Sequence, residues 1–243
     1  SSGASLGAVI AIAFGVTLPS LPFAGTMGTA IIFAFASLLV ILGLSYKLDR
    51  SLSTNTIILI GVIFSMFVSS IMSVIITFAA DKVQRITFWT MGSLTRAGWK
   101  NIGLITLIVL AAAVFFRTQA QTLDGLMLGE EAASTIGINT FRCRLVYLLV
   151  LSVLTGALVS VCGTIGFVGL IIPHVSRAIA GTAHRKLLPI AALSGGLFML
   201  WVDAIARSLI PNTELPVGIF TALVGAPFFV YVMVRKKYGF GGN

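Results

Sequence analysis

The sequence predicts an all-α fold, a polytopic membrane helix bundle with inverted repeats, and composition is the first reason. Of the 243 residues, 58% are hydrophobic and only 9% are charged, whereas soluble domains carry about 25% charged residues. The mean hydropathy is +1.07. The apolar residues lie in long runs, most of them close to the roughly 20 residues that a helix needs to cross a bilayer.

Eight of these apolar runs are predicted to be membrane segments. The first and the sixth are short and rich in glycine, which is compatible with discontinuous or tilted helices. The segments cover approximately residues 3–18, 27–46, 56–79, 101–117, 143–162, 165–181, 187–208 and 215–235.

The distribution of lysine and arginine predicts the orientation of the segments. If the first segment enters from the cytoplasm, the inner connections hold ten basic residues and the outer connections five, as the positive-inside rule requires. The net charge of +9 is then an orientation signal, and no nucleic-acid partner is expected. The inner residues are Lys47, Arg50, Arg117, Arg142, Arg144, Arg185, Lys186, Arg235, Lys236 and Lys237, and the outer residues are Lys82, Arg85, Arg96, Lys100 and Arg207.

One polar interval, residues 128–138, is predicted to form a short amphipathic helix on the cytoplasmic side. Its apolar residues fall at i, i+4, i+5 and i+8, which places them on one helix face. Glu130 and Glu131 lie at the start, where negative charge favours the helix dipole. Gly137 follows the end, where a left-handed cap favours glycine. An ordinary surface loop is the alternative. The apolar residues are Leu128, Ala132, Ala133 and Ile136.

The outer connection 80–100 is too long for a simple turn and is predicted to contain a second short helix, over residues 81–89. Trp89 and Trp99 would anchor this connection at the level of the lipid headgroups, where tryptophan is enriched. A plain interfacial connection is the alternative.

An internal repeat is predicted from two similar stretches. Residues 50–56 and 207–213 share Arg, Ser, Leu, Asn and Thr at a constant offset of 157, and Gly61 and Gly218 follow at the same offset. The first copy faces the cytoplasm and the second faces outside in the predicted topology, as an inverted repeat requires. The repeat pairs the third segment with the eighth.

Small residues at helical spacing in the third and eighth segments form a candidate substrate path. Close helix packing through small residues is the commoner use of such a pattern and is the alternative. The candidate path residues are Ser65, Ser69, Ser73 and Thr77 in the third segment, with Gly218 and Ala222 in the eighth.

No catalytic, cofactor or metal site is indicated by the sequence. It contains no P-loop pattern and no Cys/His cluster with metal-ligand spacing, and His174 and His184 are isolated from each other. Asp203 is the only carboxylate inside a predicted span, and Arg207 follows at i+4, so the two are expected to pair on one helix face. A membrane enzyme is therefore disfavoured.

Five stretches, spread over most of the chain, share a family pattern. They are residues 1–4, 166–174, 203–207, 214–218 and 225–228, which read SSGA, GFVGLIIPH, DAIAR, ELPVG and GAPF. Together they resemble the FecCD permease family, the membrane subunits of importers for iron–siderophore complexes, haem and vitamin B12. Residues 128–133, LGEEAA, resemble the cytoplasmic segment on which this family docks its ATPase.

The resemblance implies ten helices per subunit, a homodimer in the cell inner membrane, two ATPase subunits on the cytoplasmic face and an external substrate-binding protein. The path would run at the dimer interface, along the helices that match the third and eighth segments, and Arg207 would meet carboxylates of the binding protein. The ATPase-docking residues would be Leu128, Gly129, Glu130, Glu131, Ala132, Ala133 and Gly137.

The domain organisation expected from the resemblance is one transmembrane permease domain over residues 1–243, without the first two helices of the family. Its half-repeats would cover 1–100 and 143–243, around a central helix and docking segment at 101–142. A secondary transporter is the alternative, since that class also uses inverted repeats.

The inverted repeat predicts which side of the membrane each copy faces. A cysteine placed at Asn55 should react with an impermeant thiol reagent only from the cytoplasm, and one at Asn212 only from outside. The native Cys143 and Cys162 are replaced by alanine first, so that labelling reports the introduced thiol alone. Labelling of both positions from the same side would refute the predicted topology.

Overall fold

The computed structural model describes residues 1–16, 22–49, 53–95, 97–210 and 215–235. Over these ranges the regular secondary structure is helical, as predicted. The helices are α1 (Ser2–Phe14), α2 (Pro22–Leu48), α3 (Thr54–Phe78), a 3-10 turn (Ala80–Lys82), α4 (Val83–Thr90), α5 (Trp99–Thr118), α6 (Ala120–Leu126), α7 (Glu130–Thr135), α8 (Thr140–Cys162), α9 (Val168–Ala180), α10 (His184–Ser208) and α11 (Val217–Arg235).

Each predicted membrane segment coincides with a helix, but the helices differ in length. Within the described residues, four are long and apolar enough to cross a membrane, and α5 and α6 form a fifth if this pair, bent by 61°, is taken as one broken span. Helices α1, α9 and the described part of α11 are shorter apolar helices. The all-α membrane fold is confirmed, and the number of complete spans stays a prediction. The four long spans are Gly25–Leu48, Asn55–Phe78, Thr140–Cys162 and His184–Ser208.

Parts of two predictions fall outside the described residues. These are positions 50–52 and 211–214 of the repeat and its flanking motif, together with Arg96, Lys236 and Lys237 of the orientation count. The inverted repeat and the full charge asymmetry therefore stay predictions.

The core of the N-terminal part lies where α1 packs against α2, α3 and α8. Small residues make this close approach possible. A Cβ atom on Gly7 would lie 2.4 Å from the carbonyl oxygen of Thr29 on α2, so a larger residue would force the helices apart. Ala4, Ala8 and Ala30 are fully buried in the same cluster.

The predicted short helix of the outer connection is present as the 3-10 turn and α4, but one of its two tryptophans is not an anchor. Trp99 is 90% exposed, as an interfacial anchor should be, whereas Trp89 is only 3% exposed. Ile86 and Trp89 lie three residues apart on one face of α4, and that face packs into the core beside α1. The expectation for Trp89 is therefore wrong, because the helix turns it toward protein.

Three connections meet at the outer end of the bundle through backbone contacts. The N–H of Val217, at the start of α11, donates to the carbonyl of Gly92 at 3.0 Å, and the N–H of Ser93 donates to the carbonyl of Cys162 at 2.8 Å. Gly163 has φ +69° and ψ −165°, a conformation essentially restricted to glycine. A Cβ atom on Gly163 would lie 2.2 Å from the carbonyl oxygen of Trp89. The ends of α4, α8 and α11 are thus joined by their backbones.

This junction predicts that Gly163→Ala destabilises the protein. The free energy of unfolding should fall by about 1–3 kcal/mol from backbone strain alone, and the contact with Trp89 should add to the loss. Thermal unfolding in detergent measures the effect. Gly166→Ala is the matched control, since Gly166 lies in the same connection with open space around it and no left-handed φ. An equal loss in both variants would contradict the proposed contact.

Candidate functional site

The predicted cytoplasmic helix is present as α7, with glycines at both ends. Gly129 precedes it with φ +101° and Gly137 follows it with φ +85°. The N–H of Ile138 donates to the carbonyl of Ala133 at 3.0 Å, which closes the end of the helix across the left-handed glycine. The helix and its glycine cap are confirmed.

The apolar residues of this segment do not share one buried face. Ala133 is fully buried, but Leu128 and Ile136 are 68% and 61% exposed. Leu128 precedes Gly129 and lies outside the helix, so helical spacing does not place it on the face of Ala133. The apolar residues expected on one buried face are therefore split between buried and exposed positions, and most of their apolar surface is exposed. We call residues 127–138 the inner segment.

The inner segment packs on α6, a helix that was not predicted from the sequence. A Cβ atom on Gly125 of α6 would lie 2.5 Å from Cδ1 of Ile138 and 3.2 Å from Cδ1 of Ile136, so both isoleucines sit over this glycine. Thr140, at the start of α8, donates from Oγ1 to Oε1 of Glu130 at 3.4 Å. The segment thus rests on two helices while its outer surface stays exposed.

Helix α6 is linked to α10 through Asp124, a residue that no sequence pattern singled out. Its Oδ1 accepts the backbone N–H of His184 at 2.9 Å and lies 2.5 Å from Nδ1 of the same histidine. The carboxylate therefore caps the start of α10, where the first N–H groups of a helix have no partner within it. No local signal could reveal this pair, because its members are 60 residues apart in sequence.

The contacts to His184 also set the charge state of this carboxyl. The backbone N–H bond, followed by the side-chain bond, holds the pKa of Asp124 below its ordinary value. A lowered pKa means that the contribution to stability is present above the ordinary value, and is lost as the pH falls through the folded-state value. The capped, charged state is therefore the one present at neutral pH.

The expected pair at the outer end of α10 is present. Nε of Arg207 lies 2.8 Å from Oδ2 of Asp203, at i,i+4 on one helix face. Arg207 is half-exposed, whereas Oδ1 of Asp203 is buried without a hydrogen-bond partner among the described residues. The carboxylate fixes one edge of the guanidinium and leaves the rest of it accessible.

The candidate path residues of α3 divide into two groups. Ser65 and Ser69 line a cavity of about 790 Å³ bounded by α1, α2, α3 and α8, and Ser65 accepts a hydrogen bond from Ser2 at 2.8 Å. Ser73 and Thr77 are exposed farther along the helix. Their hydroxyls donate to the carbonyls four residues earlier, at 3.0 and 2.9 Å. Both hydroxyls are therefore satisfied by their own helix, and the role of Ser73 and Thr77 in a path stays a prediction.

The candidate path residues of α11 have a different setting. A Cβ atom on Gly218 would lie 2.1 Å from the carbonyl oxygen of Met91, so this glycine is needed for the outer junction. Ala222, one turn later, is half-buried. A role of Gly218 and Ala222 in the path also stays a prediction.

The described residues contain no group of three His, Cys, Asp or Glu side chains that could hold a metal ion. The ring of His174 lies beside that of Phe228, with centroids 6.3 Å apart. This histidine, a residue of α9, therefore packs against α11.

The family model described as the FecCD transport family matches residues 1–235. The chain belongs to this family. The resemblance found in the sequence is confirmed, and the chain is a multi-pass membrane protein and a transporter subunit, not an enzyme.

Individual relatives and a solved structure agree with the family assignment. An uncharacterized ABC transporter permease, YvrB of Bacillus subtilis, is 36% identical over 239 residues, which are 98% of this chain and 68% of the relative. The cobalamin import permease BtuC of Halobacterium salinarum is 37% identical over 237 residues, 98% of this chain and 62% of the relative. A structure described as an inward-facing conformation of a metal-chelate type ABC transporter superposes with a TM-score of 0.86 at 33% identity, over 96% of this chain and 73% of that one. The chain thus spans about two thirds of the length of these relatives.

Proposed function

We propose that the chain is the permease subunit of an ATP-driven importer for a metal chelate such as cobalamin, haem or an iron–siderophore complex. It carries no ATPase chemistry of its own. Two ABC ATPase subunits bind its cytoplasmic face, an external protein delivers the cargo, and a second copy of the chain completes the path in the membrane. The cargo class rests on similarity to permeases of cobalamin and metal-chelate systems.

The observation that carries this proposal is the exposed apolar surface of the inner segment. Leu128 and Ile136 are largely exposed and Met127 is half-exposed. The segment itself is held in place, because its isoleucines pack on Gly125 and Glu130 accepts a hydrogen bond from Thr140. A surface element with exposed apolar side chains at a predicted membrane–water boundary is suited to bind another protein. Glu130 and Glu131 surround these side chains with charge, in the manner of a polar rim.

The alternative, a secondary transporter, is not favoured by the charged residues. In the four long spans the described carboxylates are limited to Asp203, and Oδ2 of that residue is occupied by Arg207. Ion-coupled transporters usually place free ionisable groups inside the membrane to bind and release the coupling ion.

The docking role predicts that a charge on the exposed apolar surface of the inner segment prevents ATPase binding. Leu128→Asp should abolish copurification of the ATPase with the permease, because an exposed apolar contact is replaced by a charge that must lose its water. Bulky residues at Glu131 or Gly137 should abolish substrate-stimulated ATP turnover while membrane insertion is retained. Pull-down from detergent and ATP hydrolysis in proteoliposomes measure the two effects.

Leu48→Asp is the matched control for this experiment. Leu48 is an exposed leucine at the inner end of α2 and is not part of the inner segment. It should leave copurification unchanged. Normal ATPase binding and turnover in the Leu128→Asp, Glu131 and Gly137 variants would refute the docking role.

The proposed contact with an external binding protein predicts a role for Arg207 in association. A guanidinium held by Asp203 on one edge can still meet a carboxylate through its other nitrogens. Arg207→Glu should slow docking of the binding protein and weaken the dependence of the association rate on ionic strength, since rim charges act chiefly on association. ATPase attachment on the opposite face should be unaffected. Surface plasmon resonance on the reconstituted complex at several salt concentrations measures this.

Arg207→Gln separates docking from structure, because it removes the charge without placing two acids on one helix face. Asp203→Asn keeps the arginine and removes only its partner. A docking role requires slower association in Arg207→Gln than in Asp203→Asn. A large loss of thermal stability with an unchanged association rate in the surviving protein would show that Arg207 is only a structural partner of Asp203.

A further inference from the structure

The contact between Asp124 and His184 joins the support of the inner segment to a helix that crosses the whole bundle. A single oxygen, Oδ1 of Asp124, meets both the backbone N–H and the imidazole of His184. The His184 side chain is 12% exposed and that of Asp124 is 40% exposed. The contact is partly screened from water on the histidine side and open to water on the carboxylate side.

The start of α10 needs this contact because the chain supplies no cap of its own. The residue before the helix is Ala183, whose side chain offers no hydrogen bond. Pro189 lies inside the helix and lacks the N–H that would otherwise bond to the carbonyl of Arg185. The first turn of α10 therefore has weak support from the rest of the helix. Asp124 supplies from α6 the support that the local sequence lacks.

On the other side of the contact, α6 carries the inner segment. Ile136 and Ile138 pack on Gly125, the residue next to Asp124. Helix α6 also follows α5 after a bend of 61°, so these two helices run in different directions. Gly125, which contacts the inner segment, and Asp124, which contacts the start of α10, are thus neighbours in the chain.

Helix α10 extends from this contact to the pair at the opposite end of the bundle. At 1.5 Å per residue, its 25 residues span about 37 Å, more than the roughly 30 Å hydrocarbon core of a bilayer. It packs along α9 and α11 and carries Asp203 and Arg207 near its far end. One continuous helix thus has its inner end bound to the support of the inner segment and its outer end beside the exposed guanidinium.

We propose that Asp124 and His184 are positioning residues that transmit movement between the ATPase-binding inner segment and α10. The contact makes the first turn of α10 move with α6. Without it this turn is free to fray up to Pro189, and movement of the inner segment no longer reaches the membrane part of the helix. The inference rests on the proposed docking function of the inner segment, and it assigns a coupling role to a pair outside the docking surface itself.

The test uses the complete complex of permease, ATPase and binding protein in proteoliposomes. The quantity measured is the ratio of ATP hydrolysis with cargo-loaded binding protein to basal hydrolysis. Asp124→Ala should lower the stimulated part of this ratio about tenfold, within the 5- to 150-fold of typical couplings between sites, and His184→Ala should lower it less, because the backbone N–H of residue 184 can still bond to Asp124. Basal hydrolysis and copurification of the ATPase should stay as in the wild type. The double alanine variant should be no worse than Asp124→Ala, because that substitution alone already removes both hydrogen bonds to residue 184.

Asp49→Ala is the matched control. Asp49 also lies at the inner end, where its Oδ2 accepts the N–H of Ser53, the N-cap residue of α3, at 3.1 Å and the Oγ1–H of Thr56 at 3.3 Å, and neither of these partners belongs to α6, α10 or the inner segment. Its removal should leave the stimulation ratio within about twofold of the wild type, since couplings of functional size begin at about fivefold.

The outcomes separate this inference from the function on which it rests. A wild-type complex without ATPase copurification or stimulation would refute the proposed function. An intact Asp124→Ala complex with normal stimulation would overturn the coupling role, and so would loss of ATPase copurification or an equal loss in Asp49→Ala. If the alanine variants of the permease do not fold and insert into the membrane, Asp124→Asn decides. Its amide oxygen can keep the backbone cap without the charge, and the proposal then requires reduced stimulation with unchanged copurification.

Discussion

The backbone in a bilayer must satisfy its hydrogen bonds within each segment, and the rest of this structure depends on that constraint. Lipid offers no partner for a free N–H or carbonyl, so the spanning elements are helices and irregular backbone is restricted to their ends. The side-chain hydroxyls of α3 follow the same rule, since Ser73 and Thr77 bond to carbonyls of their own helix. The contacts that can distinguish one conformation from another are therefore concentrated at the two ends of the bundle.

The two ends are built from different kinds of contact. At the outer end, Gly163 and Gly218 bring backbones so close that a Cβ atom would lie 2.2 or 2.1 Å from a carbonyl oxygen. Such a junction cannot shift without separating whole helices, because interiors are close-packed. At the inner end, α6 packs against α10 and is also joined to it by one carboxylate and one histidine, and a side-chain contact can adjust by rotation. The fold thus has a rigid outer junction and a more adaptable inner one, on the side where the ATPase is proposed to bind.

The sequence predicted the helices well and the contacts between them poorly. Runs of apolar residues report the need to cross lipid, so the membrane segments and the glycine-capped helix at 130–135 could be located from local pattern alone. Helix α6 was missed because Ala120–Leu126 is short and polar enough to read as connection. The burial of Trp89 was missed because the same amphipathic pattern serves a helix facing lipid headgroups or a protein core. The pair of Asp124 and His184 had no local signal, since its spacing is a property of the fold.

The charged residues of α10 show why a transporter subunit can function with so few of them. Among the described residues, Asp203 is the only carboxylate in the four long spans. A carboxylate already bound to Arg207 is not free to bind and release a coupling ion. Its effect is to hold Arg207 in one orientation at the outer surface. At the other end, Asp124 holds the first turn of the same helix. The two acids therefore act on the ends of one long helix, and under the proposed function the energy for movement comes from an ATPase bound at the exposed surface of the inner segment.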